Sequence, residues 1–230
     1  MITLPTASAT PTLTTAPVAP LLDRLFAEAE TASPLASPVM ATISPEERAR
    51  LMRSKTDYLN FYGNLKDFPL AVSRETGLLL YMLARNCRAR TIVEFGTSFG
   101  ISTLHLASAL RDNGGGRLIT SEFEPSKIAR ARQNLTEGGL VDLVEFREGD
   151  ALKTLSVDLP ETIDLLLLDG AKALYADILS LVESRLRPGA FIIADNTDYC
   201  AEYMARVCSP SEGYVSVSFA DDVELSMRLG

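Results

Sequence analysis

The chain has 230 residues, 47% of them hydrophobic, and sets 22 Lys and Arg against 30 Asp and Glu for a formal charge of −8. That length suits one α/β domain with a full core, and the net acidity argues against nucleic acid or an anionic membrane as the partner. No apolar run approaches the roughly 20 residues needed to cross a bilayer, and the opening residues lack the basic start and apolar stretch of a secretory leader, so a cytoplasmic protein is expected. Three cysteines form no even framework, and the single histidine, His105, is too little for a catalytic triad or a histidine-rich metal site. A catalytic base must then be a lysine, a carboxylate or a tyrosine.

Residues 1–19, uncharged and rich in Thr, Ala, Pro and Ser, read as a flexible tail. A short amphipathic helix follows around 21–29, with Leu21, Leu22, Leu25 and Phe26 on one side. Ser44-Pro45-Glu46-Glu47 has a capping serine, proline at the first helical position and glutamate three residues on, which predicts a helix from 45 towards Asn60. Ser73 predicts another over about 75–85. These helices, within 20–88, precede the first strand and are suited to cover a crevice at the strand ends, with Phe61, Tyr62, Phe68 and Val72 either as pocket walls or as core.

From residue 91 the pattern alternates. Strands are expected at 91–95, 117–121, 143–147, 163–168 and 190–194, and helices near 100–111, 125–136, 150–156, 173–186 and 199–207. Runs such as 163–168 suit strands buried on both faces of a parallel sheet, whereas 214–219 and 223–229 read as an antiparallel hairpin. Residues 89–230 therefore form the expected core.

The stretch TIVEFGTSFGIST, Thr91 to Thr103, joins the first strand to its helix. Gly96 can turn sharply at the strand end and Gly100 lets backbone pass close to a ligand, because neither carries a Cβ. The spacing Glu-x-Gly-x-x-x-Gly differs from the three-glycine dinucleotide fingerprint, and an acid in the loop repels phosphate but suits a cation, which disfavours an NAD-dependent oxidoreductase.

Ligands of open α/β sheets bind beyond the carboxyl ends of the strands. Each end here carries an acid: Glu94, Glu122, Asp150, Asp169 and Asp195. Glu122, 28 residues after Glu94, stands where a carboxylate accepts both ribose hydroxyls, or else caps the helix begun by Pro125. Asp150 caps the next helix, reaches an adenine amino group, or does both. LLLLDGAK and FIIADN give Asp169 with Lys172, then Asp195 with Asn196. Two carboxylates and a carboxamide at adjacent tips form an all-oxygen set that suits Mg²⁺ or Ca²⁺ and not zinc. On the blander reading Asp195-Asn196 starts a helix and Lys172 is a solvated charge.

Taken together, these motifs resemble the cation-dependent O-methyltransferases, the catechol and caffeoyl-CoA type group within the class I S-adenosylmethionine-dependent enzymes. The resemblance runs from about residue 66 to the end and rests on VEFGTSFGIST, LITSE, EGDA, LDGAK and ADN, with FPLAVSRETG ahead of the first strand. It implies a Rossmann-like three-layer α/β sandwich with a seven-stranded, mostly parallel sheet ending in an antiparallel hairpin. It also implies S-adenosyl-L-methionine as cofactor, one divalent ion (Mg²⁺, Ca²⁺ or Mn²⁺), and a homodimer. Carried across by motif, Val72, Glu94, Gly96, Ser98, Ser102, Glu122, Asp150, Ala151 and Asp169 fall at cofactor positions. Asp169, Asp195 and Asn196 fall at the metal, with Lys172 as general base and Asp169 beside it in the catalytic pair.

The implied acceptor is a small hydroxylated molecule, an aromatic vicinal diol or natural-product intermediate, whose phenol must lose its proton before attacking the sulfonium methyl. The chain departs from the catechol enzymes at Gly170 and Ala171, where bulky residues help hold the adenine, so cofactor packing must differ there. Asp221 or Asp222 in the hairpin turn faces either the pocket or solvent. Two rival readings are an RNA-nucleoside methyltransferase of the same fold, against which the acidity counts, and a non-catalytic cofactor-binding scaffold.

Overall fold

The computed structural model describes residues 10–34, 37–220 and 222–230. The helices α1 (Val18–Thr31), α2 (Pro38–Thr42), α3 (Pro45–Met52), α4 (Tyr58–Gly63) and α5 (Arg74–Asn86) lead into β1 (Thr91–Phe95). Then follow α6 (Ile101–Asp112), β2 (Arg117–Glu122), α7 (Pro125–Glu137), β3 (Val144–Glu148), α8 (Ala151–Thr154), β4 (Ile163–Leu168), α9 (Tyr175–Val182), β5 (Leu186–Ala194), α10 (Ala201–Val207), β6 (Tyr214–Phe219) and β7 (Val223–Arg228). The seven strands are ordered β3-β2-β1-β4-β5-β7-β6, parallel from β3 to β5 and antiparallel on both sides of β7. This is the Rossmann-like α/β sheet with a terminal antiparallel hairpin that the sequence implies.

The two-residue period of the strands builds a core on each face. In β4, Leu165 and Leu167 join α1, α5 and α6 on one side, while Leu166 and Leu168 join α9 and α10 on the other. All four are fully buried, each worth roughly 1.5–3 kcal/mol of apolar transfer. The parallel ladder continues one residue past the strand ends: Gly149 N donates to Glu122 O, Gly96 N to Ser121 O, Asp169 N to Phe95 O and Asp195 N to Leu168 O. These bonds tie the tips that carry the acidic residues into one row.

Three expectations differ from the structure. The helix expected to run from 45 towards Asn60 breaks after Met52, because the Ser54 hydroxyl accepts from the backbone N–H groups of Thr56 and Asp57 and turns the chain before α4. The tail expected over 1–19 lies partly outside the described residues, but from residue 10 onward it packs. Leu13 and Val18 are buried in the α1 side of the core, and Thr12 N donates to the Asp112 carboxylate at 3.1 Å. The helix expected at 173–186 is shorter, with α9 flanked by 3-10 turns at Lys172–Leu174 and Glu183–Arg185.

Candidate active site

At the carboxyl ends of β1 to β5 lies a cavity of about 440 Å³. Gly96, Ser98, Glu122, Asp150, Ala151, Asp169, Lys172, Asp195 and Asn196 line it, so most of the residues singled out from sequence converge there. Its opposite wall is apolar and comes from the N-terminal helices, through Met40, Met52, Phe61, Tyr62 and Leu65. Phe68, a candidate wall, instead packs against the small cluster around Met40, Phe61 and Leu65. Val72 and Ser102 line a smaller cleft beside the main cavity, which Leu70, Ala71 and Ser98 share with it.

Gly96 sits at φ +103°, and a Cβ there would come within 2.5 Å of the Asp169 carbonyl oxygen, so the β1 loop can lie against the β4 tip only without a side chain. Gly100 does otherwise than expected. At φ +83° its missing Cβ makes room for Leu135 and Ala131 of α7, a helix-packing role away from the cavity. Glu94 likewise stands behind the loop. It is fully buried, and its carboxylate accepts from the hydroxyls of Ser102 and Thr103, each at 2.6 Å. Burial pushes its pKa up to about 7 in spite of those donors.

Glu122 Oε1 accepts from the backbone amides of Phe123 and Glu124 at 3.0 and 3.1 Å, and Oε2 from Ser98 N at 3.0 Å. Ser98 itself is left-handed, with φ +47°. Asp150 caps α8 through Leu152 N at 3.1 Å and accepts from Tyr58 of α4 at 3.0 Å, so its capping role holds while it still faces the cavity.

At the β4 and β5 tips, Lys172 is buried and donates to Asp169 Oδ1 at 2.9 Å and to the Tyr175 hydroxyl at 3.0 Å. Tyr175 in turn donates to the Asp195 carbonyl at 2.8 Å. Burial alone would lower the lysine pKa, but the Asp169 carboxylate and the groups around it hold it well above the ordinary value. The reading of Lys172 as a solvated charge is excluded. Burial, then the charge of Asp169, pushes Asp195 up to about 7. Asn196, left-handed at φ +53°, donates through its side-chain amide to Asp222 at 2.8 Å. Asp222 thus supports the β5 tip, and Asp221 lies outside the described residues. Among the described residues no three or more His, Cys, Asp or Glu side chains are grouped so that they could hold a metal ion by themselves. His105 packs edge-on to Phe26, with Nδ1 at 2.8 Å from Ile101 O, and burial pulls its pKa down to about 4.

Two residues of the site went unnoticed in the sequence. Tyr175 follows Lys172 by one helical turn in AKALY, a spacing that could have marked it. Lys127, on α7, lines the cavity with 4% exposure; its signal was a cation in a helix's first turn, where acids are favoured.

The sheet order, the β1 loop and the acids at the strand tips define a Rossmann-like fold with an acid-rimmed crevice at its carboxyl edge. Residues 93–197 match the family model described as "Methyltransferase domain". The chain is 37% identical over 130 residues to a catechol O-methyltransferase of Niastella koreensis (55% of this chain, 58% of that one). It is 35% identical over 127 residues to one of Mycobacterium tuberculosis (55% and 57%). The matched stretch thus spans a little over half the length of these relatives. The structure superposes with a TM-score of 0.62 and 26% identity on the O-methyltransferase TomG of Streptomyces achromogenes, solved in complex with SAM, over 88% of this chain and 99% of that one. The chain is thus similar, over a little less than half its length, to a methyltransferase domain and, over a little more than half, to O-methyltransferases that carry it. No helix among the described residues is long and apolar enough to cross a membrane.

Proposed function

We propose that the protein transfers a methyl group from S-adenosyl-L-methionine to a hydroxyl of a small catechol-like acceptor, with a divalent ion, Mg²⁺ before Ca²⁺ or Mn²⁺, held by Asp169, Asp195 and Asn196. The observation that carries this reading is the meeting, in one cavity, of Lys172, Asp169 and Asp195 with the Gly96 loop and Glu122. The donor set fits such an ion: Asp195 is raised towards neutrality by burial and by the like charge of Asp169, which a cation relieves, and every donor is a hard oxygen. When bound, the cofactor supplies an electrophilic methyl and the ion lowers the pKa of an acceptor hydroxyl.

The residues of the chain have the following parts in this reading. Lys172 takes the acceptor's proton at Nζ, with Asp169 and Tyr175 fixing that atom at the β4 tip. With Asp169 as its ion-pair partner the amine stays protonated, so the role requires that carboxylate's charge to be shared. Glu122 and Asp150 face the adenosine, and the apolar wall from α1 to α4 keeps water from the acceptor. The cytoplasmic homodimer belongs to the same reading, supported by the exposed apolar Leu78 and Met82 on α5.

Turnover on a panel of catechols, with Mg²⁺ and with EDTA, tests the proposal. Activity is expected to fall at least tenfold in EDTA and to be lost in Lys172→Ala. Equal rates with and without the ion would remove the metal from the reading, and full activity of Lys172→Ala would remove the base.

A further inference from the structure

Lys127 is a charge placed at a cost. It is 4% exposed, stands in the first turn of α7 where the helix dipole opposes a cation, and has no carboxylate within ion-pair distance among the described residues. Its ammonium, which can donate three hydrogen bonds, has one long one, to Ser98 Oγ at 3.4 Å, and the Phe99 ring with its centroid 5.9 Å away. Burial pulls its pKa down, against the pull of Glu122 and Asp169. The same side chain lines the main cavity.

Glu122 completes the picture. A carboxylate has about four acceptor sites, and three on Glu122 are taken by the amides of Ser98, Phe123 and Glu124. The site left over is on Oε2, the oxygen bonded to Ser98 N, while Lys127 Nζ approaches the hydroxyl of that same Ser98. Glu122 and Lys127 thus meet at one residue without pairing with each other. A vicinal diol presented there finds one free acceptor and an underused donor, where a carboxylate taking both hydroxyls would have no room for the second.

Resting on the reading that adenosylmethionine occupies this cavity, we propose that Lys127 is a cofactor-binding residue that donates to a ribose hydroxyl oxygen beside the one hydroxyl Glu122 accepts. The amine and the carboxylate then divide the diol between them, and the ligand supplies the partner that the folded chain withholds from Lys127.

Calorimetric binding of S-adenosylhomocysteine, its 2′-deoxy and 3′-deoxy analogues, and methylthioadenosine to the wild type, Lys127→Met and Lys127→Arg tests this without turnover, metal or acceptor. Lys127→Met is expected to weaken S-adenosylhomocysteine about tenfold or more, the worth of a charged hydrogen bond. That penalty should persist with methylthioadenosine and shrink below about threefold with one of the deoxy analogues. Lys127→Arg should retain most of the affinity, and its cycle with the same ligands serves if Lys127→Met does not fold. An unchanged affinity of Lys127→Met, or an equal penalty on both deoxy analogues, would overturn the proposal. So would a penalty that vanishes with methylthioadenosine, because the lysine would then serve the amino-acid tail. Failure of the wild type to bind S-adenosylhomocysteine at all would take down the cavity reading along with it.

Discussion

Glu94 is the residue where burial and charge oppose each other most directly. Its pKa of about 7 lies above the ordinary 4.5, so between those values the folded chain binds more protons at this site than the unfolded one. Stability therefore falls as pH rises from about 4.5 to about 7 through this group. Glu94→Gln keeps an acceptor for one of the Ser102 and Thr103 hydroxyls, donates to the other through its amide N–H, and removes the titration. Denaturant midpoints measured from pH 4.5 to 7 should fall less steeply in the variant than in the wild type; identical slopes would show that Glu94 is not a buried, raised carboxyl. Lys172 shows the same opposition with the other outcome, since the neighbouring Asp169 outweighs burial there.

At the scale of elements, the tip of β4 shows how a departure from the catechol pattern is accommodated. The side chain that Gly170 lacks would come within 2.5 Å of the Phe95 ring, which stands edge-on to Tyr175. Phe95 at the end of β1 therefore fills the space beside Gly170. Gly170→Ala should cost about 1–3 kcal/mol through overpacking, and Phe95→Leu in the same chain should recover part of it. Thermal unfolding of the two single variants and the double variant checks this, and simple additivity would refute the contact.

Elements were more legible in the sequence than contacts. The strands from 91 onward could be read because Gly, Pro and Asp bound apolar runs of strand length, and the site because strand ends in such a sheet collect ligands. What could not be read depends on which way a side chain faces. The acid of β1 points under α6 and those of the other tips into the cavity. Gly100 serves α7 and not the ligand, and the break after Met52 hangs on one serine hydroxyl. Lys127 showed only as a cation in the first turn of α7, and that it is buried against the cavity depends on packing which no local pattern encodes.

For the whole molecule, the N-terminal segment is structural from residue 10 onward. A chain beginning at Pro20 loses Leu13 and Val18 from the core together with the Thr12 contact to Asp112. It should lose about 3 kcal/mol or more by apolar area alone, against a control chain beginning at Thr10. Equal denaturation midpoints for the two would mean that those side chains are not buried in solution.

The two sides of the cavity come from different parts of the chain. The donor half is fixed to a hydrogen-bonded row of strand tips, whereas the facing half is a sleeve of short helices drawn from residues before β1. A substitution at Met40 or Met52 therefore reshapes the facing wall without touching the strand tips. On the function proposed above, one methylating frame can in this way be refitted to new hydroxylated compounds by changing its lining alone.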